Sequence, residues 1–200
     1  MLTPQAFSGT TYRSCTPSYA TETDLVTGEG SKLHGARWNP KGIAVVYAAD
    51  SPETAMAESL AHYRYFSIPV QSAMPRVFVA IALKLKCVVD LRESNVRQRL
   101  HVSNDTMITI DWRNEVKAGV LPVTQAIGQA AFAAGVEGII VPSAAQSDGF
   151  NMLVFPANLK KRQQNTGSEC RFPWLTIKVQ ICTQICLPSS MKQPMIQQEY

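Results

Sequence analysis

The stretch Ile43–Ala49, IAVVYAA, is an unbroken apolar and largely β-branched run and predicts a buried strand. The pattern changes at Asp50-Ser51-Pro52-Glu53, where Ser51 can cap a helix, Pro52 suits its first position and Glu53 suits its first turn. That helix is predicted to reach Tyr63 or Tyr65, and its Ala55, Ala57, Ser59 and Ala61 are small enough to let another backbone approach closely. Arg76–Leu91 alternates for much of its length and reads as one long strand, or two meeting at a bend. Trp112–Gly119 and Val123–Ala134 read as helices, the second ended by Gly135. Gly138–Pro142 and Asn151–Pro156 read as further buried strands, and Thr11–Cys15 as a short one. Residues 1–42 are rich in Gly, Ser, Thr and Pro, and 21–42 read as a long loop.

Clustered strands with few helices able to serve as regular parallel crossovers point to the α+β class, with mixed, largely antiparallel sheets. No internal repeat is present. After Leu159 the chain turns polar and basic (KKRQQNTGSEC), then apolar over 172–187, then Gln- and Pro-rich. This predicts a domain over 1–159 and a C-terminal appendage over 160–200, with one edge strand and then a disordered tail.

Composition narrows the function classes. At 200 residues and 46% hydrophobic, the chain supports one globular core and excludes wholesale disorder. Nineteen basic against fifteen acidic residues, a formal +4, is too mild for a nucleic-acid surface. No apolar run approaches the roughly 18 residues of a membrane span, and the N-terminus lacks a basic start followed by an apolar core. A cytoplasmic protein with neither nucleic-acid nor membrane partners is expected. Cys15, Cys87, Cys170, Cys182 and Cys186 are odd in number and scattered, which suits free, mostly buried thiols. Cys182 and Cys186 have no second pair beside them to complete a zinc site, so no metal is expected.

No P-loop, no GxGxxG after a strand, no HExxH and no GxSxG occurs, which argues against P-loop nucleotidases, Rossmann dehydrogenases, zincins and α/β-hydrolases. Chemistry-bearing residues concentrate instead in Gly35–Tyr63, GARWNPKGIAVVYAADSPETAMAESLAHY. Arg37 offers a planar fork that matches phosphate oxygens, Tyr47 a ring face and Glu58 a carboxylate. Each has a plain structural alternative: a surface Arg–Trp stack, a core tyrosine, a solvated helical acid. Glu58 stands out because it sits among Ala55, Ala57 and Ala61, where a buried acid needs a partner or a job. His62, one turn later, reads as a packing or hydrogen-bonding residue in preference to a ligand. Trp38 reads as a packing anchor, and Asn151 either contacts substrate or shapes a turn.

The segments Tyr12-Arg13, GARWNPKG, VVYAADSPETAMAE, VVDL (Val88–Leu91), GIIVPS and FNMLVFP resemble, in order, the RES-domain family. That family is named for an Arg, a Glu and a Ser, which match Arg37, Glu58 and Ser143 here, with Arg13 and Tyr47 as further cleft residues. The resemblance implies an ADP-ribosyltransferase-like core and cleavage of the nicotinamide–ribose bond of NAD, with NAD as substrate and no resident cofactor. It implies Arg13 or Arg37 on the pyrophosphate, Tyr47 against the nicotinamide, Glu58 on the ribose, and Ser143 on the carboxamide or ribose. A toxin neutralised by, and assembled with, an Xre-like helix-turn-helix antitoxin is the implied biology. Transfer of ADP-ribose to a protein, and a non-catalytic NAD- or partner-binding module, are the alternatives. The glycine-flanked Arg37 segment is expected to move and close over the dinucleotide.

Overall fold

The longest element is a 15-residue strand, Arg76–Asp90, and the rest of the sheet is assembled along its edges. The computed structural model describes residues 3–159 and the backbone of 175–182. Among these the strands are β1 (Gln5–Cys15), β2 (Val46–Ala49), β3 (Arg76–Asp90), β4 (Gly138–Pro142), β5 (Phe150–Val154) and β6 (Leu175–Cys182). Their order is β1-β2-β5-β4-β3-β6, and β1 also pairs with β3, so five strands close into a barrel to which β6 adds. Only β3–β4 is parallel. The helices are α1 (Glu22–Thr27), α2 (Glu29–His34), α3 (Pro52–Tyr65), α4 (Ser94–Arg99), α5 (Asn104–Thr109), α6 (Trp112–Lys117) and α7 (Val123–Ala133). The chain therefore mixes helices with a largely antiparallel sheet.

Alternation along β3 sends Val77, Val79, Ile81, Leu83 and Leu85 to one apolar cluster, shared with Leu25, Val26, Met152 and Val154. Val88 belongs to the same cluster although a strict period of two would turn it away from Leu85. A register shift against β1, between the pairs Gln5↔Val88 and Phe7↔Leu85, accounts for this. The buried Glu137 carboxylate accepts the amides of Lys86 (2.6 Å) and Cys87 (3.3 Å) at that bulge. The expected bend is thus a bulge inside one continuous strand. On the other face of the sheet, Val89, Ile139, Val141 and Leu153 pack with Trp38, Met107 and Phe155. Val123, Ile127 and Phe132 bring α7 onto that cluster.

Several sequence expectations change. Residues 21–42 hold two six-residue helices where a loop was expected. Thr21 caps α1 by accepting the Asp24 amide at 3.2 Å, and Leu25 and Val26 anchor it in the core, so caps and tertiary burial outweigh a weak local pattern. Gly28 ends α1 at φ 68°, where a side chain would strike the Val45 backbone. β2 begins at Val46 rather than Ile43, because the Ser31 hydroxyl accepts the Val45 amide and donates to its carbonyl, both at 2.8 Å. That places Tyr47 second in its strand and not at its end. β1 starts six residues earlier than Thr11, and α4 and α5 had no counterpart in the pattern. β5 stops at Val154, and a helical turn follows over 156–159. Cys15 and Cys87 are free thiols; Cys170, Cys186 and the tail from 188 lie outside the described residues, as does the Cys182 side chain.

Gly128 in α7 is in contact with the backbone of Trp38, and a Cβ there would overlap the Trp38 carbonyl oxygen. Gly→Ala inside a helix ordinarily stabilises by about 1 kcal/mol. Gly128→Ala is expected to do the reverse, lowering stability by about 1–3 kcal/mol through overpacking. Urea denaturation measures it, and an unchanged or raised midpoint would show that the contact is not tight.

Candidate active site

β1 and β2 share one residue pair, Tyr12↔Ala49, and separate beyond it. Arg13 and Ser14 on one side and Tyr47 and Ala48 on the other line a cleft of about 400 Å³, completed by α3 and by Trp112 and Arg113 of α6. Ser51 fixes the start of α3 by accepting the Thr54 amide at 3.1 Å, and the Ser59 hydroxyl donates to the Ser14 carbonyl at 3.2 Å. These contacts set the phase of α3, so that Glu58 opens into the cleft.

Glu58 is held from the barrel. The Ser143 hydroxyl, after β4, donates to Glu58 Oε1 at 2.6 Å, and the Asn151 amide on β5 donates to the same oxygen at 2.7 Å. Ser143 Oγ also accepts the amides of Ala145 (3.1 Å) and Gln146 (3.0 Å), which locks its own direction. Oε2 has no hydrogen-bond partner among the described residues. The carboxylate is therefore fixed by neutral dipoles, with one oxygen left to accept from a ligand.

Arg13, Arg37, Arg76 and Arg113 line the same cleft, where Glu58 is the one carboxylate among the described residues. Burial pulls the guanidinium of each below its ordinary value, and for Arg37 the Glu58 charge opposes that pull. Arg13 donates to the Leu25 carbonyl at 2.8 Å, and Arg76 to Ser14 Oγ (3.0 Å) and the Ser14 carbonyl (2.9 Å). Arg37 donates to the carbonyls of Met107 (3.2 Å) and Ile110 (3.0 Å), tying the 36–39 turn to the segment before α6.

That turn is held at several points by hydrogen bonds, although its glycine had suggested a segment free to close over a ligand. Gln125 of α7 donates to the Ala36 carbonyl at 2.8 Å, and Ala36 and Asn39 form a β-bridge. Asn39 is fully buried; its amide nitrogen reaches the carbonyls of Ser31, Pro40 and Ile43 at 2.9, 3.1 and 2.9 Å. Its oxygen accepts the Tyr47 hydroxyl at 2.8 Å, and that hydroxyl accepts the Trp38 amide at 3.2 Å. Burial pushes the Tyr47 phenol well above its usual range. Trp38 is 3% exposed and packs in the core. His62 lines the cleft and packs against Phe66 with the rings tilted, 4.8 Å between centroids. No metal-holding group of three or more His, Cys, Asp or Glu occurs among the described residues.

The sequence reading did not single out Arg76, Arg113 or Asn39. Asn39 had a signal: a polar residue before proline, inside a short motif followed by a buried run. The two arginines had none, since a strand start and a short helix carry arginines for many reasons.

A family model described as the RES domain matches residues 10–175, most of the chain. The chain belongs to the RES-domain family. This RES domain is 27% identical over 124 residues to proteins named NAD(+) phosphorylase MbcT from Mycobacterium tuberculosis and Mycobacterium bovis, a match spanning 60% of this chain and 62% of theirs. It is 34% identical over 68 residues to the Prs ADP-ribosylating toxin of a Sphingobium species, covering 34% of this chain and 42% of that one. Its fold is similar to one in the crystal structure of the M. tuberculosis MbcT–MbcA toxin–antitoxin complex, with a TM-score of 0.66 at 23% identity over 90% of this chain and 87% of the other.

Tyr47→Phe keeps the ring but strips a partner from Asn39 Oδ1 and from the Trp38 amide. Leaving buried groups unsatisfied should lower unfolding stability by about 1–3 kcal/mol. Urea unfolding with an unchanged slope measures this, and no loss would mean that the Asn39 knot does not hold the turn.

Proposed function

We propose that this RES domain is a toxin that depletes NAD by breaking its nicotinamide–ribose bond and passing ADP-ribose to phosphate or water, restrained by a cognate antitoxin. The observation that carries this reading is Glu58, oriented by Ser143 and Asn151 inside an arginine-lined cleft. As the C–N bond breaks, its electron pair passes to the nicotinamide nitrogen and the ribose becomes oxocarbenium-like. A fixed, unneutralised carboxylate stabilises that developing charge. An oxygen of phosphate or water then attacks the ribose carbon. With phosphate the product is a ribose 1-phosphate; with water, a proton is released and free ADP-ribose results.

The arginines suit the dinucleotide's pyrophosphate. Arg13 and Arg37 are the gripping residues, held in place by backbone carbonyls. The Tyr47 ring packs against the nicotinamide while its hydroxyl stays in the Asn39 knot. Ser143 and Asn151 orient Glu58, and Asn151, which lines the cleft, would also meet the ribose. Arg37, Glu58 and Ser143 thus form the catalytic set, on a core of the ADP-ribosyltransferase type. NAD is a substrate here, so the protein needs no resident cofactor and no metal. The name of the mycobacterial relatives favours phosphate as acceptor. That of the Sphingobium relative favours a second reading, ADP-ribosylation of a protein. The restraining partner is an Xre-like helix-turn-helix antitoxin bound in an oligomeric complex, and the action is cytoplasmic, where NAD is shared by all of metabolism. No helix among the described residues is long and apolar enough to cross a membrane.

Purified protein incubated with NAD, with and without phosphate, should release nicotinamide, and the ribose product identifies the acceptor. Intact NAD together with ADP-ribosylated protein in expressing cells would replace this reading with the second one. Glu58→Gln removes the charge but little volume. Turnover should fall about 100- to 1,000-fold, while NAD affinity and melting temperature change little. A well-folded Glu58→Gln protein that still consumes NAD at the wild-type rate takes Glu58 out of the mechanism.

A further inference from the structure

Arg113 has no role in the reading above. Its guanidinium lies over the Trp112 ring, 4.4 Å from the centroid, and over the Tyr65 ring at 4.6 Å. The rings hold the cation by its faces and leave its N–H edge uncommitted. Arg13, Arg37 and Arg76 each donate to protein acceptors, whereas Arg113 makes no hydrogen bond among the described residues. The neighbouring acid does not supply one. Asp111 instead accepts the Asn114 amide (3.2 Å), the Asn114 side chain (2.6 Å) and the Tyr65 hydroxyl (3.4 Å). Arg113 is also half-buried and close enough to Arg37 for their charges to oppose each other. Two guanidinium groups lining one cleft, with one carboxylate among the described residues, are relieved by a bound anion.

We infer that Arg113 is an anion-binding residue whose free guanidinium edge grips a phosphoryl group on the α6 side of the cleft. The identity of that group rests on the proposed NAD chemistry: it belongs to the dinucleotide's pyrophosphate or to the free phosphate that accepts ADP-ribose. Both present the paired oxygens that a planar fork matches.

Calorimetric titration of wild type and Arg113→Gln with ADP-ribose, and separately with inorganic phosphate, tests this without any turnover. Losing a charge-assisted contact should weaken one ligand about ten- to a hundredfold. A loss for ADP-ribose assigns Arg113 to the pyrophosphate, and a loss for phosphate alone assigns it to the acceptor. Equal affinities in wild type and variant for both ligands overturn the inference. Because Arg113 also stacks on two rings, Arg113→Met, which keeps an apolar stem against them, repeats the comparison if the glutamine variant melts early. Equal affinity in that variant is equally fatal. Wild-type protein that binds ADP-ribose through Arg113 but never cleaves NAD would sink the proposed reaction and leave the anion site standing.

Discussion

The single rung Tyr12↔Ala49 between β1 and β2 makes a cleft possible on an otherwise closed barrel. Full closure would pair Arg13 with Ala48 and Ser14 with Tyr47 and leave no room for a ligand. Opening the seam strands backbone groups that the barrel would have satisfied, and a buried polar group left unpaired is costly. Side chains substitute for the missing ladder. The Ser14 carbonyl accepts from Ser59 Oγ and from Arg76 Nη2. Arg76 and Ser59 are seam residues first, and their presence in the cleft wall follows from that.

The seam also sets the electrostatics. Four arginines around one carboxylate would be expected to pair with it, and a tight pair would neutralise the charge on which the proposed reaction relies. Glu58 is anchored instead by a hydroxyl and an amide, both on one oxygen. Three of the arginines are turned onto backbone carbonyls and one onto aromatic faces. Negative and positive charge thus remain separate in one space. The proposed reaction would use such a site to hold a pyrophosphate and stabilise a positive ribose at different points.

What the sequence made legible was what local pattern determines. α3, β3 and β4 fell close to their expected bounds because a cap, a long alternation and a compact apolar run each act within a few residues. The six-residue helices α1, α2, α4 and α5 give periodicity little to act on: α1 and α5 rest on a side-chain cap and distant burial, while α2 and α4 have neither a side-chain cap nor a buried residue. The β3 bulge is held by Glu137, some fifty residues away. For the candidate site, resemblance named Arg37, Glu58, Ser143 and their neighbours, but no pattern could foretell that Ser143 and Asn151 converge on the same oxygen. Arg76 and Arg113 stayed hidden because an arginine declares its role only through its contacts.

The clamped turn around Arg37 bears on how the site works. A glycine beside a functional arginine suggests a loop that closes on its ligand, with ordering entropy lost at each binding event. Here Gln125, Gly128, Asn39 and Tyr47 order the turn when the chain folds. The entropy is lost once, in folding, and the cleft would meet a ligand with Arg37 and Glu58 already in position. The proposed reaction is governed by charge developing at one carbon, and fixed dipoles and charges suit it because none has to reorient as the bond breaks. Packing away from the cleft, at Gly128 and Asn39, therefore sets the position of the turn that carries Arg37.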